Sequence, residues 1–265
     1  MYPILFKVGD FSVESYWVFM ILGIIIGGVV TYWQAKRKNL NSHKAIYLII
    51  ITVISGFIGS RLSYVLLNFN SYQKDLLKIF KFWKGGFSWQ GAFILGFLTL
   101  LWFLKNDKEN LGKWLDSMIF GMLLGHSIGR IGCFLHGCCY GIATNVPWAI
   151  QFPNLGDNLL RHPTQLYESL SYLLIFLLFC FYSQKIKLKN GSLFFIGTTL
   201  HSLARFIIEY FRYNEDFIYQ GEIWYTTLTY AQLTALIIII FSLLTLFKIN
   251  NQNKDLLITT KKNPN

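Results

Sequence analysis

The sequence predicts an all-α integral membrane protein, a bundle of seven transmembrane helices, and three observations predict it. The 265 residues contain seven apolar stretches of about 20 residues, the length an α-helix needs to cross a hydrocarbon core. Hydrophobic residues make up 54% of the chain and charged ones only 14%, so seven spans use most of it and leave no room for a second folded domain. Lysines and arginines gather in short connections between the stretches rather than on one soluble face. That placement excludes nucleic acid as the partner of a chain with formal net charge +11 and favours anionic membrane lipid.

In order, residues 1–15 mix Lys7, Asp10 and Glu14 with apolar side chains and belong at an interface. Span one covers about 16–33 and stops at Lys36, Arg37 and Lys38. It is too long for a cleavable signal peptide and lacks the preceding basic cluster. Span two is about 45–69, span three about 87–104, span four about 114–136 and span five about 164–182. Span six is about 192–211 and span seven about 227–247, followed by a polar tail, 248–265. Alternate connections (34–44, 105–113, 183–190 and the tail) carry fourteen basic residues, the opposite ones seven. The positive-inside rule therefore places the amino terminus outside and the tail in the cytoplasm. Four of those seven, Lys74, Lys78, Lys81 and Lys84, alternate in helical phase with Leu76, Leu77, Ile79, Phe80 and Trp83. A short interfacial helix between spans two and three has that pattern, and so does an ordinary solvated connector.

The segment 125–141 sets the function. It places an arginine, two histidines, three cysteines and five glycines at the end of an apolar helix. His126, Arg130, Cys133 and Gly137 share one helical face, and Gly121, Gly125 and Gly129 form a ridge on the next, where another helix can approach closely. An arginine in hydrocarbon costs about 2.5–3.5 kcal/mol, so Arg130 needs a partner on a neighbouring helix. At 1.5 Å per residue, Arg61, Arg130 and Arg205 all fall about 9–12 Å below the outer surface. Glu168, Gln90 and Tyr16 enter from the same side, which predicts one cavity open to the outer leaflet. His201, Arg205, Glu209 and Arg212 form a single stripe along span six. Arg205 and Glu209 as a self-neutralising pair is one reading. The other sets three buried arginines against two buried carboxylates, Glu168 and Glu209, and gives the surplus to an anionic ligand; guanidinium forks suit phosphate.

Gly129-Arg130-Ile131-Gly132-Cys133-Phe134 through Gly141 resembles the signature of the bacterial prolipoprotein diacylglyceryl transferases. Gly59-Ser60-Arg61-Leu62-Ser63-Tyr64, Gly85-Gly86-Phe87-Ser88, Arg161-His162-Pro163-Thr164-Gln165-Leu166-Tyr167-Glu168 and Arg205 through Arg212 agree in order and spacing. The resemblance implies a bacterial inner-membrane enzyme with its site facing the outer leaflet. It would transfer diacylglyceryl from phosphatidylglycerol to the lipobox cysteine of a prolipoprotein signal peptide, with no metal or organic cofactor. By position, Arg130 and Arg205 would hold the lipid phosphate and Glu209 would orient Arg205. Tyr16, Arg61, Gln90, Cys133, Gly141, His162, Gln165, Glu168 and His201 would line or support the site. The chain departs from the family where a histidine base is expected, at Trp89-Gln90, and carries Cys133, His136 and Cys138 where the family has asparagine, asparagine and glutamate. Glutamine takes no proton from a thiol, which leaves His136 first, then His162 or His201, or no protein base.

Two rivals remain at this stage. Cys133, His136, Cys138 and Cys139 offer four soft ligands within seven residues, for metal binding or thiol–disulfide exchange. A silent binder of lipid or signal peptide is the second. Cys180, in a Phe/Leu run, reads as a small core residue, and Asp116 as a local cap or pair.

Overall fold

Each apolar stretch folds as a helix, because in hydrocarbon the backbone polar groups have only one another as partners. The computed structural model describes residues 1–9, 11–73, 75–81, 86–183, 185–186, 188–213 and 228–262. The chain divides into two compact units, residues 35–111 and the combination of 1–34 with 112–265.

The larger unit opens with a β-hairpin, β1 (Ile4–Val8) and β2 (Phe11–Glu14), which pairs Phe6 with Val13 and Val8 with Phe11. Helix α1 (Ser15–Arg37) follows at once. It lies so close to α5 (Leu111–His136) that a Cβ on Gly27 would come within 2.6 Å of the Gly121 carbonyl oxygen, and one on Gly125 within 2.7 Å of that of Gly23. Gly121 and Gly125 thus serve as the predicted ridge. Gly129 does not, since nothing lies within 4 Å of a Cβ built there. After α5 come the short strands β3 (Ile150–Gln151) and β4 (Leu160–Arg161), then α6 (Thr164–Tyr182), α7 (Ser192–Glu209) and α8 (Tyr230–Lys262). Ser127 and Ser169 exchange hydroxyl-to-carbonyl hydrogen bonds of 2.8 and 2.9 Å that fasten α5 to α6. Asp116 of α5 accepts from Gly191 N and Phe194 N, both at 3.0 Å, and so caps the amino terminus of α7 from another helix. Helix α8 opens on a reciprocal cap: Thr229 N donates to Gln232 Oε1 (3.0 Å) and Gln232 N to Thr229 Oγ1 (3.1 Å).

The smaller unit contains α2 (Ser42–Leu67), α3 (Phe69–Tyr72) and α4 (Trp89–Phe103). Gly59 and Gly91 face each other so tightly that a Cβ on either would overlap the other's carbonyl. Lys44 Nζ meets Asp107 Oδ2 at 2.6 Å.

Among the described residues, five helical segments are long and apolar enough to cross a membrane: 15–37, 42–67, 108–136, 164–182 and 230–251. Helix α4 is apolar but has only 15 residues, and α7, with 18, carries His201, Arg205 and Glu209 along its length. Both lie where spans three and six were expected. One expectation needs correction. The connector after α2 is not one amphipathic helix. Asp75 accepts from Leu77 N (3.2 Å) and restarts the chain as a 3₁₀ turn over Leu76–Phe80, while Lys74 and Lys84 lie outside the described residues. The polar tail begins within the last helix: α8 continues to Lys262, with no glycine or proline before Pro264 to stop it. The expected start of span seven, Thr227, lies outside the described residues.

Candidate active site

In the larger unit α5, α6 and α7 bring their charged residues to one buried level. Arg130 Nε lies 2.5 Å from Glu168 Oε2, and Arg205 Nη1 lies 3.4 Å from the other oxygen of the same carboxylate. Arg205 Nη1 also reaches Glu209 Oε2 at 2.5 Å, and Arg212 Nη1 approaches that oxygen at 3.9 Å. Glu168 and Glu209 are 2% and 5% exposed, and burial on this scale calls for partners of opposite charge such as these. The cluster therefore joins three guanidinium groups through two carboxylates and keeps one positive charge in surplus. Several of these are charge contacts without hydrogen-bond alignment. Arg130 Nε, Arg205 Nε and Arg212 Nε are buried and, among the described residues, accepted by no aligned partner. Thr229 Oγ1 donates to Glu209 Oε1 at 3.0 Å, which ties the cap of α8 to the same group.

One helical turn along from these residues, α5, α6 and α7 supply a ring layer: His126 is i−4 from Arg130, Tyr172 i+4 from Glu168 and His201 i−4 from Arg205. His126 Nδ1 and His201 Nε2 share a hydrogen bond of 2.9 Å. Tyr172 stacks on both rings, at centroid distances of 4.6 and 4.2 Å. His201 is thus engaged inside the protein, beneath the arginines. The predicted stripe contained it, but His126 and Tyr172 as its partners were not foreseen.

The other end of the cluster is built from the start of α1 and the connection after α5. A Cβ on Gly132 would come 2.7 Å from Phe19 Cβ, so only glycine lets α1 settle there. That contact brings the Tyr16 ring to 6.0 Å from the His136 ring. Helix α5 ends at Gly137, whose φ of 82° is left-handed, with Gly137 N and Cys138 N both donating to Cys133 O. Arg130 Nη1 lies 4.0 Å from Cys133 Sγ. Gln165 Nε2 donates to Cys138 O at 2.6 Å and Thr164 Oγ1 to Cys139 O at 2.8 Å, so the start of α6 fixes the connection. Gly141 is wedged between two strands of backbone: a Cβ there would lie 2.5 Å from Phe211 O and 2.7 Å from His162 O.

His162 hydrogen-bonds through Nδ1 to the Tyr167 hydroxyl (3.0 Å), and burial holds its pKa below the usual 6.5, so the ring is neutral at pH 7. Arg161 packs over the Tyr140 and Tyr213 rings, at 5.2 and 5.3 Å, and holds Asp157 below the usual carboxylate range through a 2.6 Å contact. Of the thiols, Cys133, Cys138 and Cys139 hold their sulfur atoms within 4.8 Å of one another, and His136 does not join them.

Arg61 and Gln90 belong to the smaller unit. Arg61 is 4% exposed and its guanidinium is accepted by backbone carbonyls: Ile79 (2.9 Å), Lys78 (2.8 Å) and Gly86 (3.1 Å). It clamps the connector after α2. Gln90 sits in the first turn of α4, and its side chain lies outside what is described.

A family model described as prolipoprotein diacylglyceryl transferase matches residues 3–248. The chain is 32% identical over 246 residues to a phosphatidylglycerol–prolipoprotein diacylglyceryl transferase of Wolbachia pipientis from Culex pipiens, covering 91% of this chain and 92% of that one. It is 31% identical over 260 residues to the protein of that name from Clostridium botulinum strain Hall, covering 96% and 99%. With the one from Clostridium tetani it shares 30% over 215 residues, 80% and 86%.

Proposed function

This chain belongs to the prolipoprotein diacylglyceryl transferase family, and from that premise we propose that it moves a diacylglyceryl group from phosphatidylglycerol to the thiol of a prolipoprotein's lipobox cysteine. The bond between the diacylglyceryl carbon and the phosphate oxygen breaks, and a carbon–sulfur bond forms. Glycerol phosphate leaves, and the product is a thioether. The observation that carries this reading is the surplus guanidinium charge: three arginines on two carboxylates, held on separate helices. A phosphodiester brings the one negative charge that balances it.

Arg130 and Arg205 act as the phosphate cradle. Their positions are set by Glu168 before lipid arrives, so little reorganisation accompanies the growth of charge on the leaving phosphate. Glu209 and Glu168 orient rather than react, since both already hold arginines. The attacking thiol has an ordinary pKa near 8.5 and reacts as thiolate, which the same positive field favours. Of the histidines, His201 is committed to the buried ring layer. His136, beside Tyr16 at the end of α5, is the better placed to take the thiol proton, with His162 as second choice. Tyr16, Cys133 and Gln165 line or brace this end, and Gly141 keeps its connection close. Seven spans, a periplasmic amino terminus and a site facing the outer leaflet of the bacterial inner membrane complete the reading, supported by the lysine and arginine distribution.

Transfer of labelled diacylglyceryl from phosphatidylglycerol to a lipobox peptide tests it. Arg130→Ala should lower the rate at least a hundredfold, and Arg130→Lys should recover little, because an ammonium lacks the planar fork. Parental turnover in Arg130→Ala would overturn the assignment.

A further inference from the structure

Three thiols outside the ion-pair cluster meet beside Arg130. Cys133 comes from the last turn of α5, Cys138 and Cys139 from the connection after it, and the three sulfur atoms lie within 4.8 Å of one another. Their arrangement is held from several sides. The carbonyls of Cys138 and Cys139 are gripped by Gln165 and Thr164, and Gly137 makes the left-handed turn that folds the connection back on α5. Cys139 itself has φ of 61°, a conformation a non-glycine residue keeps only where its surroundings impose it. Cys133 is buried and the other two half-buried, so the sulfur triangle is not sealed on every side. Three convergent sulfur donors without a carboxylate or imidazole among them suit a thiophilic ion, and zinc completes its four-coordinate shell with water where the protein offers three ligands.

We propose that Cys133, Cys138 and Cys139 form a three-thiolate site for a divalent ion of the zinc type, and that the bound ion excludes phospholipid from Arg130. On binding, three S–H groups lose their protons to solvent and three metal–sulfur bonds form, with no change of oxidation state. One divalent ion on three thiolates leaves one net negative charge. Cys133 Sγ, which would carry part of it, lies 4.0 Å from Arg130 Nη1. The arginine–glutamate cluster has a single positive charge in surplus, and the proposed function (on which this coupling rests) assigns it to a lipid phosphate. Metal thiolate and phosphate are then rival anions for one guanidinium. The site is an off-switch responsive to thiophilic metal.

The first test needs no turnover. Reduced, metal-free protein in detergent is titrated with Co(II) as a coloured stand-in for zinc. One ion per chain should bind with intense thiolate-to-metal absorption, displaced by Zn(II) and lost in Cys138→Ala and Cys139→Ala. In the unmutated chain, zinc should shield the half-buried Cys138 and Cys139 from maleimide. Absence of that absorption, or labelling unchanged by zinc, overturns the site. The second test reads the coupling. Monomeric short-chain phosphatidylglycerol should raise the Kd for zinc about tenfold, where the phosphatidylcholine analogue does not. Zinc should weaken phosphatidylglycerol binding by the same factor, since the linkage is reciprocal. Equal zinc affinity with both lipids overturns the switch. Failure of the transferase reading would show separately, as no transfer by the chelator-treated parent.

Discussion

Glu168 is the residue on which the cluster turns. Its two oxygens hold arginines from two other helices, and it is 2% exposed, so removing it strands both guanidinium groups in a dry site. Breaking a buried pair in this way costs about 3–5 kcal/mol. Glu168→Ala should therefore lower the thermal midpoint in detergent as well as stop transfer, and Glu168→Gln, which keeps the volume and an acceptor oxygen, should lose less stability. A midpoint unchanged in Glu168→Ala would mean the pair is not held as described. At this scale the sequence was most legible where charge sat in an apolar run: Arg130, Arg205, Glu168 and Glu209 all find one another. Within the smaller unit Arg61 holds main-chain carbonyls, which no side-chain pattern announces. A further guanidinium, Arg212, reaches the cluster and was visible beforehand only as the end of the span-six stripe.

Helices were legible almost to their ends, because apolar runs bounded by charges leave few alternatives. The expected 164–182 span is α6 to the residue. The amino-terminal hairpin was missed, although Ile4, Phe6 and Val8 alternate before Gly9, a turn residue with φ of 59°. The reciprocal cap of α8 was equally present in the sequence as Thr229-Tyr230-Ala231-Gln232 and went unread. How α1 meets α5 yields a sharp contrast. Gly27→Leu places side chain against the Gly121 carbonyl and should collapse yield and monodispersity, while Gly129→Ala, with nothing within 4 Å, should behave as the parent. Size-exclusion profiles and thermal midpoints of the two variants check this. Equal behaviour would deny that backbone contact sets the helix pair.

For the molecule as a whole, composition decided the class and the described helices agree with it. Outward-facing Ile25, Val29, Leu66, Leu170, Leu244 and Phe247 are more than half exposed, a surface suited to lipid rather than water. Among the described residues, length and composition single out five candidate crossings. α4 is short, and α7 is charged for the same reason that it is needed: it carries Arg205 and Glu209, two of the five residues of the ion-pair cluster. Single cysteines introduced at positions 38, 106 and 186 of a cysteine-free chain should be shielded from membrane-impermeant maleimide in intact cells. A cysteine at position 2 should be labelled. The reverse pattern would invert the proposed orientation. The hydroxyl that opens α8 donates to the carboxylate steadying Arg205. While the ribosome has yet to deliver residue 229, that carboxylate lacks this anchor. On the proposed reading, then, the phosphate site would be finished only once the start of α8 has been made.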